Sequence, residues 1–71
     1  MKPLPFREVR RRLMKFGFIE AGQSGSHVKF IKVTDLGSLG AMVPKHKEVA
    51  SGTIRSILKQ AGLSEKEFSE F

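Results

Sequence analysis

The chain has 71 residues and no cysteine, with 13 Lys and Arg against 7 Asp and Glu, a formal charge of +6. That length holds one domain, residues 1–71, with one modest core, and the lack of thiols excludes a disulfide framework. No apolar run approaches the ~18 residues of a membrane span, no apolar stretch of signal-peptide type follows the basic N-terminus, and His27 and His46 have no further ligand at metal-binding spacing.

A soluble cytoplasmic protein without metal or cofactor is therefore expected. Its positive field attracts polyanions, either nucleic acid or an acidic protein; charge alone does not separate the two.

In chain order, Pro5 suits the first turn of a helix. Phe6, Val9, Leu13 and Phe16 follow at i, i+3, i+7 and i+10, one apolar stripe of an amphipathic helix. Gly17 is placed to end it as a left-handed cap, with Phe18 folding back on Leu13. Arg7, Arg10, Arg11 and Lys15 form the outer face and Arg12 its flank, a solvated face before an RNA groove.

Phe18-Ile19-Glu20-Ala21 reads as a short strand, and Gly22 to Gly25 as a loose, flexible turn. The run from His27 to Val33 has strong β propensity and alternates for most of its length. Period 2 puts His27, Lys29 and Ile31 on one face and Val28, Phe30 and Lys32 on the other. With Val28 and Phe30 inward, His27 and Lys29 stand outward together.

Thr34 to Ser38 reads as a hairpin loop, Leu39 to Val43 as a third strand, and Pro44 as its end. Lys45-His46-Lys47-Glu48 is a charged connector, after which Ser51, Gly52 and Thr53 supply helix-start chemistry. Ile54, Ile57, Leu58 and Ala61 mark a second helix stopped by Gly62, with Leu63 packing back on Leu58. Ser64 and Glu67 have capping-box spacing for a last short turn carrying Phe68. The order is αβββα: an α+β fold with two helices on one face of a three-stranded antiparallel sheet.

Two segments resemble a known family. Gly25-Ser26-His27-Val28-Lys29-Phe30 is similar to the G-S-H-x-x-F signature of the HicA (YcfA-like) toxins. Val43-Pro44-Lys45-His46-Lys47-Glu48, running on through Gly52 to Leu63, resembles that family's second block. The resemblance spans nearly the whole chain. It implies a fold akin to the double-stranded-RNA-binding domain, and an mRNA-cleaving toxin neutralised by a HicB-type antitoxin. It carries the family's catalytic histidine onto His27.

The chemistry suits such a role. RNA supplies its own nucleophile, the 2′-hydroxyl, so cleavage needs a base, a charge stabiliser and an acid. An imidazole, with an ordinary pKa of about 6.5, can take that proton near neutrality. Lys29, on the same face, is the first candidate to offset transition-state charge. Gly25, Ser26, Lys45 and His46 are candidate RNA contacts, the first two as hydrogen-bond donors to phosphate. All aromatic residues are Phe at core-like spacing, so they read as core before base-stacking platforms. The competing function is a non-catalytic basic RNA-binding module on the same frame.

Overall fold

A computed structural model describes residues 1–70. Helix α1 spans Phe6–Lys15, strands β1, β2 and β3 span Ile19–Ser24, His27–Thr34 and Gly37–Pro44, and helices α2 and α3 span Ser51–Ala61 and Glu65–Ser69. The strands form one antiparallel sheet in the order β1-β2-β3. The αβββα order expected from the sequence is the order observed, with the short α3 appended. No helix among the described residues is long and apolar enough to cross a membrane.

The apolar stripes converge on one side of the sheet. Val9 and Leu13 of α1, Val28 and Phe30 of β2, Ala41 and Val43 of β3, and Ile54, Ile57, Leu58 and Ala61 of α2 are all buried. Phe18, Val49 and Phe68 complete that core, with Phe6, Phe16 and Leu63 packed at its margin. Full burial of each large side chain contributes about 1.5–3 kcal/mol, a large share of a small domain's net stability.

Both long helices end in the same hydrogen-bonded terminator. After α1, Gly17 takes φ 93° and Phe18 N–H donates to the Leu13 carbonyl. After α2, Gly62 takes φ 71° and Leu63 N–H donates to the Leu58 carbonyl. The left-handed residue reverses the chain, so the next apolar side chain drops back onto the core, as the sequence indicated. Ser64 and Glu67 form the expected reciprocal capping box, and Phe68 is buried behind it.

Several boundaries differ from the sequence reading. β1 runs on through Gly22, Gln23 and Ser24, which pair with Lys29, Val28 and His27, past a bulge between Glu20 and Gly22. These residues have weak β propensity, and pairing with β2 overrides it. The loose turn is therefore a tight one with only Gly25 and Ser26 between paired Ser24 and His27. The second hairpin is likewise tighter than expected: Thr34 pairs with Gly37, and the Thr34 hydroxyl accepts from Leu36 N–H and donates to the Gly37 carbonyl. The N-cap of α2 is Ala50, without a side-chain cap, so Ser51 lies inside the helix.

Candidate nucleic-acid interface

His27 opens β2 next to the hairpin turn. Gly25 takes φ 59° while no other described residue except glycine has positive φ, the pattern of a two-residue hairpin turn with glycine first. A Cβ at Gly25 would meet nothing within 4 Å, so glycine is required there by backbone conformation, not by crowding. The turn carbonyls are occupied: Gln23 Nε2 donates to Gly25 O at 3.0 Å and Lys45 N–H to Ser26 O at 2.6 Å. The Gly25 and Ser26 N–H groups take no partner among the described residues, so the turn offers donors outward.

His27 and Lys29 are exposed, alternating with buried Val28 and Phe30, so they stand on the sheet face turned away from the helices. Directly opposite them are Ser24 and Pro44 for His27, and Gly22 and Met42 for Lys29. The His27 imidazole makes no hydrogen bond or ion pair with the described residues. No carboxylate among the described residues orients it.

The connector after β3 is fixed against this end of the sheet. Lys45 N–H prolongs the β2–β3 ladder onto Ser26, Phe6 N–H donates to the His46 carbonyl at 3.2 Å, and Leu4 and Val49 form an isolated antiparallel bridge. Lys45, His46 and Lys47 are thereby held beside the N-terminal end of α1, and Lys45 Nζ stands 6.0 Å from the Phe6 ring centre. The structure thus brings Gly25, Ser26, His27 and the Lys45 backbone together at one end of the sheet. Lys29 lies two residues along the same face, and His46 sits round the end beside Phe6 and Arg7.

Ion pairing divides the basic residues. Arg10 pairs with Glu20, Arg11 and Arg12 both with Glu8, and Arg55 with Glu65. The two guanidiniums hold the Glu8 carboxyl down at about 2, chiefly through the hydrogen bond from Arg11 and next that from Arg12. Arg12 also donates to the Phe68 carbonyl and lies 5.2 Å over the Phe68 ring, so it fastens α3 to α1. Arg55 ties α2 to α3. Arg7, Lys29, Lys45 and Lys47 have no carboxylate partner among the described residues.

Sequence reasoning passed over Arg7 as a member of this end. Its only sequence signal is adjacency to Phe6, and the Leu4–Val49 bridge that brings that segment to the connector is non-local.

No curated protein matches the chain. The pattern of one protein family, described as "HicA toxin of bacterial toxin-antitoxin", matches residues 6–63, from the first residue of α1 to the one after the α2 terminator. That span includes the turn, His27 and the connector, and such toxins are paired with an antitoxin. The chain belongs to the HicA toxin family.

Proposed function

We propose that this toxin is an endoribonuclease acting on mRNA without a metal, that residues 1–71 work as one domain, and that His27 is its general base and acid. The single observation that carries this reading is the placement of an exposed imidazole at the head of β2, beside outward-facing turn donors and lysines without carboxylate partners.

The 2′-hydroxyl gives its proton to His27 as its oxygen attacks the adjacent phosphorus. The bond to the 5′-oxygen breaks, and the imidazolium returns the proton to that leaving oxygen. Lys29 offsets the charge that builds on the phosphoryl oxygens. The Gly25 and Ser26 N–H groups, the Ser26 hydroxyl, Lys45 and His46 contact the RNA backbone. A HicB-type antitoxin is the partner that restrains this activity.

The products test the reading. Purified toxin incubated with single-stranded RNA in excess EDTA should yield fragments with a 2′,3′-cyclic phosphate and a 5′-hydroxyl. A strand carrying 2′-deoxyribose throughout should stay intact. Fragments with 5′-phosphate ends, or cleavage that stops with EDTA, would contradict the mechanism. RNA that is bound but never cut would leave the non-catalytic RNA-binding module as the function.

A further inference from the structure

His27 stands on the open face of the sheet, but the cations nearest to it continue round the end of the sheet to the helix side. There Pro5, Phe6, Arg7, Lys45, His46 and Lys47 line an open concavity. We propose that this concavity is a second phosphate subsite, one that holds an uncleaved phosphodiester of the strand cut at His27 and so selects an unpaired strand. The inference rests on the ribonuclease reading for the identity of that strand.

Charge is the first support. Arg7, Lys45 and Lys47 bring three full positive charges to the lining, none is ion-paired to a described carboxylate, and no carboxylate lines the concavity. The groove between the N-terminal segment and α3 makes the contrast. Glu65 is among its lining residues, and its Arg12 is already committed to Glu8 and the Phe68 carbonyl.

Rigidity is the second. The hydrogen bonds at Ser26, Phe6 and Leu4 fix the connector backbone on both sides of the lysines, so less order has to be imposed when an anion binds. Continuity is the third. Pro44 pairs directly with His27, and Lys45 follows it by one residue, about 3.8 Å between Cα atoms.

The path between the two places limits the ligand. The Phe6 ring packs 6.3 Å from that of Phe30, which faces the helices, whereas His27 and Lys29 face away from them. A strand touching both places must turn round the β1–β2 hairpin. A single strand does so by rotating about its backbone bonds. Duplex stiffness forbids it: double-stranded DNA has a persistence length of about 50 nm, and the longest dimension of this protein is 32 Å.

The test uses a short unstructured oligonucleotide with 2′-O-methyl groups, whose nucleophile is blocked, and measures affinity by fluorescence anisotropy across a salt series. Arg7→Gln/Lys47→Gln should weaken binding and reduce the magnitude of the log–log salt slope by about 1.4, two contacts at about 0.7 each on a single strand. The control Lys59→Gln/Lys66→Gln removes the same charge from exposed positions of α2 and α3 and should leave the slope in place. A hairpin duplex should bind more weakly and with the same slope to wild type and Arg7→Gln/Lys47→Gln.

Equal slope losses in the two double variants would reduce the effect to net charge and overturn the subsite. So would a duplex bound as tightly as the single strand. An unmodified RNA added in parallel separates the two claims. Cleavage with no slope change in Arg7→Gln/Lys47→Gln removes the subsite and keeps the nuclease. The expected slope change with intact RNA keeps the subsite and removes the nuclease.

Discussion

The Arg10–Arg12 run of α1 and the end of the sheet at His27 are both rich in cations, yet they use them differently. On α1, Arg10, Arg11 and Arg12 face Glu20 and Glu8, and Arg12 also clamps the Phe68 carbonyl. Arg10 and Arg12 thereby tie α1 to β1 and α3, and Arg11 pairs within α1. At the sheet end, Arg7, Lys29, Lys45 and Lys47 have no acidic partner among the described residues, while backbone hydrogen bonds fix the segments that carry them. On the proposed reading, the densest run of positive charge in the sequence, Arg10 to Arg12, serves the fold before it serves RNA. A cation left without a carboxylate is free to meet a phosphate; one already paired must first lose its partner.

Substitutions on the two sides should separate accordingly. The largest effect expected from a single cation is at Lys29: Lys29→Gln should slow RNA cleavage on the order of 10- to 100-fold through lost charge stabilisation. Its exposed strand position predicts an unchanged unfolding midpoint. Arg10→Gln/Arg11→Gln removes two charges from the paired face and should leave cleavage within about twofold of wild type, since both guanidiniums already face carboxylates. If these two variants change cleavage equally, the distinction between the faces fails.

The smallest effect is on stability. Glu8→Gln should cost about 0.5 kcal/mol near neutral pH, the scale of a solvent-accessible ion pair. The Glu8 carboxyl titrates at about 2 in the folded protein against its ordinary 4.5, so its contribution is complete above about 4.5 and is lost as pH falls through about 2. Urea unfolding at neutral pH and at pH 2 should show the difference between wild type and Glu8→Gln shrinking at the acid end. A difference that grows toward acid would contradict the assigned pairing.

What the sequence disclosed follows the range of the interactions involved. The α1 stripe, the Gly17 and Gly62 terminators and the Ser64–Glu67 box are set within a few residues, and each is where spacing put it. The shared outward face of His27 and Lys29 follows from strand alternation once Val28 and Phe30 are buried. The continuation of β1 through Gly22, Gln23 and Ser24 was hidden, because their pairing is enforced by β2 and not by their own propensity. Arg12 gave no local sign of its bond to Phe68, 56 residues away. The connector's candidate RNA contacts are legible but its seat is not, because the bridge from Leu4 to Val49 that holds it against α1 joins distant parts of the chain.

The central claim, that His27 performs the proton transfers of RNA cleavage, is tested most directly by one rate. Single-turnover cleavage of an unstructured RNA should be on the order of 10²-fold or more slower in His27→Ala than in wild type, with the same circular dichroism spectrum and melting temperature. His27→Ala cutting at the wild-type rate would contradict the account.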